Sequence, residues 1–338
     1  MQLTPPIKVL SRRVFLSLLI GGIFIFYAWL VYAASKIDLP DPKISVHFYS
    51  NQTRQDVKNV FHNALQKAHH SIFLSVYGIT DPNIISVLVQ KAHAQVPVTV
   101  EYDASASSHL NKILPTNAHV RPIKSKGLMH RKIVVLDHAQ VFLGSANLTL
   151  SSLRHHDNLV LGLYSPTLAA FLENPQTPSC STELNGQNAE VFLLPDPLKN
   201  GLKRLLDTLN AAQTKITIAM FTLTHPDITQ ALISAAKRGV AVAIAADYYT
   251  AKGASKKTLG ILEKEGVKIL NSQGRQLLHH KWAIIDEKIL IMGSANWTKA
   301  AFSRNHDFLF FLNPLDAKQI KYLNQLWDII ELESISPP

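Results

Sequence analysis

An internal duplication constrains this 338-residue chain more than any other feature. Residues 130–147 read His130-Arg131-Lys132, four residues, Asp137, six residues, then Gly144-Ser145-Ala146-Asn147. Residues 279–296 repeat that order at identical spacing: His279-His280-Lys281, Asp286 and Gly293-Ser294-Ala295-Asn296. Upstream of the motifs the halves keep register, with 71–103 lying over 215–247 at a constant offset of 144. The motif histidines are offset by 149, so the second half carries five extra residues, placed in the Lys-rich helical stretch 249–274. A pattern used twice predicts two like lobes facing each other, not one continuous sheet.

Between Lys and Asp the motifs hold Ile133-Val134-Val135-Leu136 and Trp282-Ala283-Ile284-Ile285, runs that suit a strand covered on both faces. Alternation then points His130 and Lys132 the same way, and likewise His279 and Lys281. Imidazole can act as nucleophile or proton shuttle near neutral pH, and an ammonium is a compact donor to anionic oxygens. A phosphoryl group calls for both. A second apolar run, Val141–Leu143 or Ile289–Met292, leads into Gly-Ser-Ala-Asn. There glycine permits close backbone approach, while Ser and Asn supply hydrogen bonds for an oxyanion. The same tetrapeptide also makes an ordinary polar turn, and its repetition beside each His-Lys pair is what favours function.

The HxKxxxxD motif followed by GSxN, present twice, resembles the phospholipase D superfamily of phosphodiesterases from about residue 44 to the C-terminus. The resemblance implies one active site built by both motifs across a pseudo-twofold interface, and catalysis through a covalent phosphohistidine without metal or other cofactor. It also implies that His130 is the nucleophile and His279 the acid, an order the residues alone leave open. Lys132, Lys281, Asn147 and Asn296 would bind the non-bridging oxygens, with Ser145 and Ser294 assisting. Asp137 and Asp286 belong to the motif, but their position after the strand runs suggests capping or pairing rather than chemistry. Asp157 and Asp307 lie ten and eleven residues beyond Asn147 and Asn296, where the family often has a glutamate that orients the imidazole. Aspartate is one methylene shorter. Adjacent histidines diverge on a strand, and no HExxH or paired CxxC spacing is present, so no metal site is expected.

At the N-terminus, residues 14–34 form a 21-residue run without charge, long enough as a helix to span a hydrocarbon core of about 30 Å. Lys8, Arg12 and Arg13 precede it, so 1–13 is expected in the cytoplasm and the catalytic body on the other side. A cleaved signal leading to secretion is the alternative. The expected fold is therefore α/β: two similar phospholipase D-like lobes, each a mixed β-sheet flanked by helices, preceded by one transmembrane helix. Its divisions are an anchor at 14–34, a tether at 35–43, an N-terminal lobe at 44–172, a connector at 173–187 and a C-terminal lobe at 188–338. Because both motifs lie on one chain, no oligomer is required.

The net charge of +10 selects anionic partners: a phospholipid membrane, a phosphodiester substrate or nucleic acid. Phospholipid cleavage fits the anchor, nuclease action fits the charge, and a binding scaffold with a degenerate site is disfavoured by intact His, Lys and Asn in both copies. Cys180 is the only cysteine, which excludes an intrachain disulfide.

Overall fold

The computed structural model describes residues 12–35, 37–43, 46–274 and 276–335. It divides into a unit ending at Asp38 and a body beginning at Leu39. The apolar run 14–34 falls within helix α1, Arg12–Ser35, whose side chains are described from Val14 to Trp29. Among the described residues no helix is long and apolar enough to cross a membrane. Lys8, and most of the segment expected in the cytoplasm, lie outside the described residues.

The body contains two large mixed sheets. In chain order the first half forms β1 (Val46–Tyr49), β2 (Ile72–Val76), β3 (Val98–Asp103), β4 (His119–Ile123), β5 (Lys132–Leu136), β6 (Gln140–Gly144), β7 (His156–Asp157) and β8 (Val160–Tyr164). Next come β9 (Ser179–Leu184), β10 (Gln187–Leu193), β11 (Lys215–Met220), β12 (Ala241–Ala246) and β13 (Lys268–Ser272). The chain closes with β14 (Leu277–Leu278), β15 (Lys281–Ile285), β16 (Ile289–Gly293), β17 (Phe308–Asn313) and β18 (Ser334–Ile335). The first sheet runs β1-β8-β6-β5-β2-β3-β4, and the second repeats that order as β10-β17-β16-β15-β11-β12-β13, with β9 and β18 added at its edges. Seven residues of the expected connector thus belong to strands: all six of β9, plus Gln187, the first residue of β10. The Lys-rich stretch that distinguishes the second half forms two short helices, Tyr248–Lys252 and Lys256–Lys264.

Strand alternation explains why the motif strands are apolar throughout. Ile133 and Val135 of β5 join Trp282 and Ile284 of β15 in one core shared by both sheets. Ala283 and Ile285, the alternate residues of β15, face a second core formed with the helices Asn200–Ala211 and Pro226–Lys237. The closing helix Ala317–Leu332 starts with a capping box between Asp316 and Gln319 and buries Leu323, Leu326, Trp327 and Ile330 in the shared core. Both faces of the second sheet are therefore covered, and β5 of the first is buried at every position, so both motif strands are buried.

Candidate active site

The two halves meet in short backbone links immediately before each motif histidine. Met129 bridges His306, and β14 pairs in parallel with β7. In consequence the His130 N–H donates to the His306 carbonyl at 2.8 Å, and the His279 N–H to the Asp157 carbonyl at 2.9 Å. Each histidine is thus set by backbone from the opposite half.

The side chains cross in the same manner. His130 Nδ1 lies 2.8 Å from Asp307 Oδ1, and His279 Nδ1 lies 3.1 Å from Asn158 Oδ1. All four residues are buried. Asn158 Nδ2 donates to the carbonyls of Ser152 at 2.8 Å and His156 at 3.0 Å, which forces its Oδ1 toward the histidine. His279 therefore carries its ring proton on Nδ1 and leaves Nε2 free. Beside His130 a carboxylate takes the same position, so a positive charge on that ring is compensated directly. The duplicated site is chemically unequal.

Asp157 does not orient the imidazole as expected. It meets His279 only through its backbone carbonyl, while the next residue, Asn158, supplies the side-chain contact. An acidic residue is what the motif leads one to expect here, and Asn158 is neutral. Counting eleven residues from Asn147 and from Asn296 gives Asn158 and Asp307, and that equal spacing was the available signal. The Asp157 carboxyl is pushed up to about 7, mainly by burial and further by Glu333.

Ser145 and Ser294 hold these partners in place. Ser145 Oγ donates to Asn158 Oδ1 at 2.9 Å and Ser294 Oγ to Asp307 Oδ1 at 2.7 Å. The N–H groups of Leu159 and Phe308 donate to the same hydroxyls, so each hydroxyl proton must point at residue 158 or 307. Gly144 and Gly293 make this possible, because a Cβ at either would collide with the carbonyl of Leu159 or Phe308. Asn147 and Asn296, three residues on, each bury an Oδ1 that has no hydrogen-bond partner among the described residues.

Lys132 Nζ donates to the His130 carbonyl at 2.6 Å and Lys281 Nζ to the His279 carbonyl at 2.8 Å. One donor of each ammonium is committed and two remain. Tyr77 and Phe221, equivalent in the two halves, stack edge-on against His130 and His279 and lie under Lys132 and Lys281. Burial lowers the Lys132 ammonium to about 7, and burial together with the charge on Lys132 lowers Lys281 well below its ordinary value. His279 is likewise well below its usual range, through burial and then the charges of Lys281 and Lys132. His130 is lowered by burial and Lys132, against an opposing pull from Asp307. Burial opposes ionisation of Asp307, but the His130 charge and hydrogen bond, with Lys132 and Ser294, outweigh it and keep the carboxylate ionised. The four basic groups are buried and close enough to lower one another's proton affinity, a cluster that favours an anion.

Asp137 and Asp286 stand at the far ends of the motif strands. The Asp137 carboxylate accepts the N–H groups of His69, His70 and Ser71 at 2.6 to 3.1 Å. Asp286 accepts those of Gln213, Thr214 and Lys215 at 2.8 to 2.9 Å. Both tie the entry of the neighbouring strand to the motif strand. Among the described residues, no three or more His, Cys, Asp and Glu side chains are grouped so as to hold a metal ion.

Comparison with known proteins gives the same frame. The family model described as cardiolipin synthase, PLD-like domain matches residues 61–175 and 205–327, most of the chain and once per half. Mitochondrial cardiolipin hydrolase of Mus musculus is 30% identical over 133 residues, which cover 38% of this chain and 59% of that protein. The Homo sapiens protein of that name is 32% identical over 142 residues, covering 39% and 56%. The chain thus spans little more than half the length of these relatives. Phosphatidylserine synthase of Haemophilus influenzae has a TM-score of 0.71 at 13% identity, with 89% of each chain covered, a likeness of fold.

Proposed function

The chain belongs to the phospholipase D-like family of phosphodiesterases, and on that premise we propose that it cleaves phospholipids through a phosphohistidine on His130. The observation that carries this reading is the unequal pair, His130 on a carboxylate and His279 on an amide, each partner supplied by the opposite half. Asp307 holds the His130 proton on Nδ1, so the lone pair of Nε2 attacks phosphorus while the bond to the leaving oxygen breaks. The resulting phosphoimidazolium is positive, and the ionised Asp307 stabilises it. The leaving oxygen takes the Nε2 proton of protonated His279. An amide partner suits that task, because it orients the ring without the charge that would hold the proton back.

The phosphodiester anion itself raises the proton affinity of His279, Lys132 and Lys281 on entering. The free donors of both lysines then meet the non-bridging oxygens as charge builds there. In the second step water attacks phosphorus, His279 Nε2 takes its proton, and the P–N bond returns its electron pair to His130. The sum is diester plus water giving monoester plus alcohol.

The phospholipid assignment draws on the cardiolipin hydrolases among the relatives and on the apolar segment 14–34, which falls on α1 and follows a basic flank. That segment would anchor the body on the non-cytoplasmic side. Protease added outside intact cells should then degrade the body, and protection of it would reverse the orientation. For the chemistry, His130→Ala and His279→Ala should each remove nearly all turnover of mixed phospholipid vesicles, with the double variant little worse than either. With a 4-nitrophenyl leaving group, His279→Ala should still accumulate phosphohistidine and His130→Ala should not. Cleavage of single-stranded DNA with no turnover of any phospholipid would establish the nuclease reading instead.

A further inference from the structure

The ends of the sheets that carry the histidines are marked by Val76 opposite Lys132 and Met220 opposite Lys281. Large apolar side chains stand exposed on the connections at these ends, which are loops and the first turns of the short helices Leu150–His155 and Tyr248–Lys252. In the first half Leu128, two residues before His130, is 42% exposed, and Leu150, three residues after Asn147, is 46% exposed. In the second half Leu198 follows β10, whose Leu193 pairs with Phe308 beside Asp307, and is 76% exposed. Tyr249 follows β12, whose last residue pairs with Met220, and is 73% exposed.

Each of these connections also bears an exposed cation close in sequence. Lys126 precedes Leu128 and Arg154 follows Leu150 in the first half, while Lys199 follows Leu198 and Lys252 follows Tyr249 in the second. Lys126, Arg154 and Lys199 form no salt bridge among the described residues, and Lys252 reaches only the neighbouring Tyr248. We propose that these connections form a docking face for an anionic phospholipid surface, the leucines and Tyr249 entering its interfacial layer and the cations meeting its headgroup phosphates. The proposal rests on the phospholipid reading above and adds the surface that delivers lipid to the site.

The combination discriminates between anionic partners. A nucleic-acid face would use the cations with stacking aromatics, and aliphatic side chains as open as Leu198 would gain nothing from a phosphate backbone. A bilayer surface rewards both kinds of group, through apolar burial and through attraction of basic residues to anionic lipid.

The test uses the full chain with two substrates: phosphatidylglycerol diluted in non-ionic detergent micelles, and the soluble diester bis(4-nitrophenyl) phosphate. Leu128→Ser with Leu198→Ser should raise the interfacial KM, expressed as lipid mole fraction, by about tenfold, given the apolar area withdrawn from the interface. Turnover of the soluble diester should stay within about twofold of wild type, since neither side chain meets the reacting groups. Leu128→Phe with Leu198→Phe should behave as wild type on both. Lys126→Gln with Lys199→Gln should cost about fivefold per charge on the lipid at low salt, with the loss disappearing as salt screens the surface. Equal kinetics of the serine variant and wild type on lipid, or equal losses on both substrates, would overturn the docking face alone. A wild-type chain that cleaves single-stranded DNA and the soluble diester but no lipid would overturn the phospholipid reading itself.

Discussion

Asp307→Asn tests whether the carboxylate beside His130 does more than orient a ring. Ser294 Oγ must direct its proton at residue 307, so the substituted amide keeps Oδ1 where it meets both Ser294 and His130. Its Nδ2 then falls at the place of Asp307 Oδ2, a buried atom with no hydrogen-bond partner among the described residues. The equivalent Asn158 gives its Nδ2 to two carbonyls. Left without a carbonyl acceptor at 307, that donor would cost about 1–3 kcal/mol of stability. Replacing a charge-assisted bond to a developing imidazolium with a neutral one forfeits a further ~1–3 kcal/mol, a loss of roughly 5- to 150-fold in the first chemical step. Burst kinetics with bis(4-nitrophenyl) phosphate isolate that step. The loss should be equally large with 4-nitrophenyl and alkyl leaving groups, because a nucleophile is needed for both. A loss seen only with alkyl leaving groups would make His130 the acid, and wild-type burst rates would remove Asp307 from the mechanism.

Asp137→Ala and Asp286→Ala should each destabilise the fold, by about 1–3 kcal/mol for the backbone donors left unpaired, while near-wild-type kcat survives at 25 °C; loss of kcat from a fully folded variant would give these carboxylates a chemical role. Dimethyl phosphate, a monoanion throughout, should bind more tightly as pH falls from about 9 toward 7, by up to roughly tenfold per unit for each proton taken up. The sign follows because Lys132, lowered to about 7 in the free protein, is neutral above that pH and regains its proton when an anion arrives. Calorimetry in two buffers of different ionisation enthalpy should show proton uptake, and pH-independent affinity would disprove the coupling. Turnover should persist in excess chelator, because histidine and lysine supply nucleophile, acid and charge stabilisation; abolition with recovery on adding zinc or magnesium would refute the phosphohistidine route.

The fold was legible because duplication shows twice over which segments correspond, and because runs such as Ile133–Leu136 are apolar at every position only when both faces are covered. Strand β9 was not legible. Ser179–Leu184 is polar and half exposed, an edge strand held by backbone pairing to β10, so its composition matches that of a loop. The extent of α1 was read from charge alone, since an apolar helix without a packing face offers no periodicity to check.

Within the site, a motif states which groups recur, and recurrence favours symmetric expectations. It gave two His-Lys pairs, two Gly-Ser-Ala-Asn turns and a search for two aspartates. The reaction is not symmetric, since one ring must accept phosphorus and the other must release a proton. The structure accommodates this at one atom pair: Asp307 and Asn158 sit at the same offset, accept the same kind of serine hydroxyl and face equivalent imidazoles, differing in charge. Asp157 is adjacent and acidic, but it ends β7 and meets His279 only through its carbonyl, while the side chain of the next residue, Asn158, reaches the ring. Position after the Gly-Ser-Ala-Asn turn, rather than residue type, selects Asn158. The carboxylate beside His130 is thus a charge that the imidazole of the other copy does not meet at the equivalent position.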